Sequence, residues 1–311
     1  MISIYSTLSH LATELAWAGA IGILVFGLEL LWPASDRSTR ASRLFNAASV
    51  TLLFSAVTLL PLLSNPIVGW LGNQGLIGLV FGNWHSSTLA GQILLTLAYV
   101  AVWDFFQYWL HRAEHTFAPL WAIHLFHHED DHLNGTTSLR NSAWSILANF
   151  FFVSLPTLIL CGVDMIPVVG AYLFFKVYGF FNHANVRLSL GPATAVLSGP
   201  QWHRLHHGRD SHYHNKNFAA FFPVLDIVFG TYRKPARDEF PETGLTDYPP
   251  PPLTIGNALR RVFALSSWPI TVSTAPEAPL VRHFDLEKLS SVAADLSSIG
   301  SDRTHTNTQP S

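Results

Sequence analysis

Two histidine triplets of identical spacing constrain this chain more than anything else in it. His124, His127 and His128 stand at i, i+3 and i+4, and His203, His206 and His207 repeat the pattern further along. A pair at i and i+4, His111 and His115, precedes both. On an α-helix such residues project from one face, which is how helices present imidazoles to metals. The fold must therefore bring several histidine-bearing helices to a common point.

With His183, at the end of an apolar segment, the three sets make nine histidines. A mononuclear zinc takes three or four protein ligands, so the count argues for two ions, each held by four or five imidazoles with room for an exogenous ligand. Cys161 is the one cysteine, which excludes a thiolate cluster and a disulfide framework. Nitrogen-rich sites suit iron, zinc, copper or nickel by softness. His132, His212 and His214 lie near the sets but outside the repeated spacings, and His10, His85, His283 and His305 are isolated. None of these is expected to be a principal ligand.

The mount for these histidines reads as a membrane bundle. Only 12% of residues are charged, against roughly 25% in soluble domains, while 49% are hydrophobic and 13% aromatic. Five apolar segments, about 12–33, 46–72, 89–110, 143–163 and 165–182, approach the ~20 residues that cross a bilayer. The third and fifth have the strongest claim. Pro61 and Pro66 predict a kink or break in the second, and the glycine-rich stretch 70–88 reads as a re-entrant or interfacial loop. No basic region precedes the first segment, so it reads as a retained span. The expected fold is all-α: an integral-membrane helical bundle of about four to five membrane segments, with a cytoplasmic helical cap holding a histidine-rich di-metal site. Residues 1–88 supply N-terminal membrane segments, 89–235 the core with the three histidine sets, 236–289 a C-terminal extension and 290–311 a polar tail expected to be disordered.

Basic residues set the orientation. Arg37, Arg40 and Arg43 follow the first segment, Arg112 and Arg140 follow the third, and those from Arg187 onward follow the fifth. Cytoplasmic loops are enriched in such residues, so the histidine sets are expected on the cytoplasmic face, of a bacterial inner membrane or of the endoplasmic reticulum in a eukaryote. No basic cluster points to nucleic acid.

Asp104, Tyr108, His111 and His115 form one helical stripe running from the membrane into the cytoplasm. A carboxylate or phenol behind a metal-bound imidazole fixes its tautomer, and Asp104 and Tyr108 are the candidates. Glu14 and Glu29, near the two ends of the first segment, fit interfacial positions as well as functional ones. Phe150, Phe151, Phe152, Phe174, Phe175, Phe180 and Phe181 are candidates for an acyl or sterol channel, with ordinary helix packing as the competing role.

The ordered motifs HxxxH, HxxHH and HxxHH resemble those of the fatty acid hydroxylase/sterol desaturase superfamily, in the flavour of its alkylglycerol monooxygenase-like and bacterial sterol desaturase-like branch. The likeness spans about residues 90–235 and includes Phe181-Asn182-His183-Ala184-Asn185 and Leu225-Asp226. It implies two iron ions held by His111, His115, His124, His127, His128, His183, His203, His206 and His207, with Asp104 and Asn185 as partners behind them. It also implies O2 as oxidant and a lipid substrate such as a fatty acyl chain, sterol or ether lipid. The expected reaction breaks an unactivated C–H bond, giving an alcohol by hydroxylation or an alkene by loss of a second hydrogen. No dinucleotide fingerprint or haem module occurs, so electrons are expected from a separate reductase, ferredoxin or cytochrome-type carrier. The chain has Asn217-Phe218-Ala219 where the family often has glycine last, which leaves that backbone geometry open.

Two rival readings exist. HRAEH satisfies HxxEH, an inverted zinc-protease motif with Glu114 as base, but that site leaves six triplet histidines without a purpose. A histidine-rich metal transporter or sensor would place its site near the bilayer midplane, whereas these histidines lie beyond the span ends.

Overall fold

The computed structural model describes residues 4–35, 40–57, 60–82, 84–162, 168–246 and 252–263. Among them the fold is helical throughout, with isolated bridges in place of strands. The long helix α4 (Leu89–Thr116) organises it; α1 (Ile4–Leu31), α2 (Arg40–Val57) and α3 (Leu60–Asn73) precede it. Thr88 caps α4 by accepting the Gly91 N–H at 3.2 Å. Its 28 residues span about 42 Å at 1.5 Å per residue, against a hydrocarbon core of about 30 Å. The helix is thus longer than such a core is thick, and His111 and His115 lie in its last turns.

At Phe117 the backbone is extended and the chain turns into α5 (Ala118–His128), which packs back on α4 and bears the first triplet. A 3₁₀ turn at Gly135–Leu139, fixed by an Asn134–Thr137 capping box, leads to a continuous rod Ala143–Cys161. The rod is α6 (Ala143–Asn149), a π-helical turn (Phe150–Ser154) and α7 (Leu155–Cys161). A Cβ on Gly135 would lie 2.7 Å from Val25 and 3.3 Å from the Phe180 carbonyl, so only glycine admits this approach to α1 and α8. Then α8 (Val168–His183) returns to the site, α9 (Pro200–His206) carries the second triplet, and α10 (Val224–Val228) and α11 (Ile255–Phe263) complete the cap.

Among the described residues, two helices are long and apolar enough to cross a bilayer, Leu89–Thr116 and Ala143–Cys161. The second segment is helical over α2 and α3, with Pro66 inside α3, and residues 58–59 between them lie outside the described residues. Gly19–Leu31 of the first segment is a shorter apolar run among the described residues, and the fifth contributes α8. Residues 76–82 form turns in which the Leu79, Val80 and Phe81 N–H groups donate to the Ile159 and Leu160 carbonyls, capping the end of α7. Carbonyls left open at a helix end need such partners.

The helices before and after the histidine core pack onto it. Ile21 and Val25 of α1 join Phe180 and Ala184. Phe45 and Leu53 of α2 join Phe126 of α5 and Ala258 and Val262 of α11. Of the phenylalanines considered for a channel, Phe151 and Phe152 are exposed while Phe150 and Phe180 are buried in packing; the Phe174 side chain and the 290–311 tail lie outside the described residues.

Candidate metal centre

The nine histidines converge and divide into two groups, whose ligand atoms lie within 4.8 Å of one another. One group holds His111, His115, His124, His128 and His206; the other holds His127, His183, His203 and His207. Helical geometry explains the division. Residues at i and i+4 lie nearly one above the other, whereas the i+3 member points about 100° away from its i+4 neighbour. Each triplet therefore gives two rings to one group and one ring to the other. His124 and His128 serve the first group and His127 the second, while His203 and His207 serve the second and His206 the first. The pair His111 and His115 and the lone His183 complete the sets of five and four.

The Nε2 atoms face inward. His128 Nε2 lies 3.1 Å from Nε2 of His115, His124 and His206, and His183 Nε2 lies 3.1 Å from that of His127 and 2.9 Å from that of His203. His207 and His203 are 3.2 Å apart through the same atoms. Spacings of this size bring the ring nitrogens close enough to share an ion. His111 Nε2 is buried without a hydrogen-bond partner, as expected of a donor aimed at a metal.

Four of the outer nitrogens are held by backbone carbonyls, while Nδ1 of His203 and His207 is buried without a hydrogen-bond partner. Nδ1 of His111 donates to the Phe218 carbonyl at 2.7 Å, of His206 to Lys216 at 2.8 Å, of His183 to Gly179 at 2.8 Å and of His127 to Arg140 at 3.3 Å. A proton on Nδ1 leaves the Nε2 lone pair free to bind. Burial, then the neighbouring imidazoles, hold His124, His128, His203 and His207 well below the ordinary histidine range. Eight of the nine are buried, and His115 is half-buried beside Trp121.

The residues expected behind the imidazoles work at one remove. Asp104 accepts the N–H groups of Ala220, Phe221 and Phe222 at 2.7, 3.1 and 2.7 Å. Tyr108 bonds Thr231 at 2.9 Å and receives Arg112 at 3.0 Å. Asn185 bonds Ser35 and receives Arg204 at 3.2 Å. Asp226 accepts the N–H groups of Phe218 and Ala219, so two buried carboxylates hold five consecutive backbone donors. That loop presents the carbonyls that orient His111 and His206. Its left-handed residues are Asn215 and Asn217, the latter at φ 62°, so Ala219 need not be glycine.

Several buried residues near the site take roles that the sequence reading did not assign them. Glu114 Oε2 sits 3.2 Å from His124 Nδ1, on the outer side of that ring, which is the position of a supporting carboxylate and not of a protease base. Glu29 accepts the N–H groups of Gly135 and Asn185 at 2.7 and 2.8 Å and pairs with Arg43, tying α1 to both histidine-bearing segments. Glu129, Asp130 and Arg140 form a buried ion cluster below His127. His132, His212 and His214 stay outside both groups, and His85 is exposed. The side chains of His10, His283 and His305 lie outside the described residues.

Residues 96–231, which include all nine histidines, match the family model described as fatty acid hydroxylase. Human alkylglycerol monooxygenase is 36% identical over 146 residues, covering 46% of this chain and 31% of the human protein. The Caenorhabditis elegans alkylglycerol monooxygenase is 28% identical over 168 residues, 54% of this chain and 33% of that one. An ornithine lipid hydroxylase of Rhizobium tropici is 29% identical over 161 residues, 51% and 46% of the two chains. The match spans about a third of the curated alkylglycerol monooxygenases. No solved structure matches the chain.

Proposed function

We infer, from the match of residues 96–231 to the fatty acid hydroxylase family model and the likeness to alkylglycerol monooxygenases, that the chain is a membrane-bound oxygenase acting on a lipid. The observation that carries this reading is the interlocked pair of histidine groups, five and four Nε2 donors in two adjacent sets. Iron is the metal best supported, by the likeness to the fatty acid hydroxylase family. The nine histidines would hold it, and a bound iron pair supplies the two-electron activation of O2 that C–H cleavage requires.

The chain's own part is to hold and shield. The carbonyls of Phe218, Lys216, Gly179 and Arg140 keep protons on Nδ1, so that the donor atoms stay neutral and fixed. Burial of eight rings keeps bulk water from the donors. The two long apolar helices that meet the cap would deliver a lipid directly from the bilayer. The one-sided arginines support a cytoplasmic face, open to a separate electron carrier. Hydroxylation is the outcome favoured by the likeness to alkylglycerol monooxygenases and an ornithine lipid hydroxylase, with desaturation sharing the same first hydrogen abstraction.

Comparative lipidomics of cells with and without the intact gene tests this. The expected product is a lipid that has gained one oxygen atom, or lost two hydrogens, only when the gene is intact and O2 is present. Identical lipid profiles with active, iron-loaded protein would count against it.

A further inference from the structure

We propose that Arg261, on α11, is a positioning residue of the four-histidine group, so that the C-terminal segment is part of the metal centre. The inference rests on the two-ion reading above. Arg261 lies beyond residues 96–231, the range that matches the family.

The connection is a short buried chain. Arg261 Nη2 is 2.9 Å from Glu129 Oε2, and Glu129 Oε1 is 2.9 Å from Arg140 Nη2. The backbone carbonyl of Arg140 accepts His127 Nδ1 at 3.3 Å, and His127 Nε2 is 3.1 Å from His183 Nε2. Glu129 and Arg140 are each 1% exposed, so their charges must be balanced by protein groups. Two carboxylates, Glu129 and Asp130, face two guanidiniums, Arg140 and Arg261. Asp130 also accepts from Ser42, Asn46, Thr137 and the His132 N–H, whereas Glu129 has Arg140 and Arg261 as its ion partners. Without Arg261 the charge of Glu129 rests on Arg140, which already pairs with Asp130, and a shift of Arg140 moves the carbonyl that meets His127. Ala258 and Val262, packed on Phe45 and Phe126, hold α11 at the height that puts Arg261 on Glu129. Loss of a group that supports a ligand directly costs about 10–100-fold in metal affinity, and Arg261, acting through Glu129 and Arg140, is expected at the lower end.

The test uses the full chain in detergent, loaded with Fe(II) without oxygen and challenged with a competing chelator; ions retained per chain are followed in time, with no turnover needed. The native chain is expected to release two ions slowly. Arg261→Gln is expected to release one of them about tenfold faster or more and the other at the native rate. Arg261→Lys, which keeps the charge without the planar fork, recovers part of the retention. Arg260→Gln, on the exposed side of the same helix, behaves as the native chain. In a His127→Ala chain, Arg261→Gln leaves release of the remaining ion unchanged. Native release of both ions from Arg261→Gln, equal acceleration of both, or faster release of the remaining ion in the His127→Ala chain overturns the proposal. A native chain that binds fewer than two ions overturns the two-ion reading itself.

Discussion

The imidazoles of His128 and His207 stack across the boundary between the two histidine groups, with ring centroids 4.3 Å apart and planes 21° from parallel. The groups therefore share a wall of side chains, and each triplet is bound into both. Replacing one i+3 histidine removes a donor from the group that its own triplet serves least. His206→Ala is expected to weaken the ion of the five-histidine group and His127→Ala that of the four-histidine group. Each should cost about 10-fold or more in retention and abolish oxidation of the lipid. Metal content after dialysis checks both, and full activity in either variant contradicts the di-metal reading.

Glu114 supports the His124 ring from outside. Glu114→Gln keeps a hydrogen-bonding group there and is expected to lower metal retention by no more than about tenfold while turnover persists. A complete loss of activity with both ions retained would instead give Glu114 a direct chemical role.

Asp104 holds three backbone donors of the loop that orients His111. Asp104→Ala strands buried N–H groups and is expected to cost about 3 kcal/mol of stability, from the desolvation of unpaired donors. Thermal unfolding in detergent reads this, together with weaker metal binding in the five-histidine group. An unchanged unfolding temperature would mean that the loop is held by other contacts.

In the metal-free chain, burial holds the α5 and α9 imidazoles well below the ordinary histidine value of 6.5. Folded rings then stay neutral while unfolded ones take up protons below about pH 6.5, so stability is full above that pH and is lost as pH falls beneath it. Melting of chelator-treated protein is expected to drop steeply between about pH 7 and about pH 5. A flat profile over that window contradicts the burial of neutral rings.

Local spacing made the histidines legible. The i, i+3, i+4 rule needs nothing beyond a helix, and the 5/4 division follows from applying it to both triplets, a step that the bare count of nine does not take. Asp104 and Tyr108 lay on the right stripe, but apart from Arg112 one turn on, their partners are backbone and hydroxyl groups more than a hundred residues away, which no local pattern reveals. Glu114 was visible only as part of a protease motif, because its role depends on which side of His124 it meets. The helical character was legible from composition. The membrane segments were less so: hydropathy marks five runs, whereas among the described residues two helices are long and apolar enough to cross a bilayer. Arg140 looked like one more basic residue following a span; the structure buries it on Glu129 and Asp130.

The most direct measurement is the metal content of the purified full chain. Two adjacent groups of inward-facing Nε2 atoms predict two iron ions per chain, with His206→Ala and His127→Ala each lowering retention of one. A single zinc per chain, or both ions lost together on replacing either histidine, would contradict two separate metal positions.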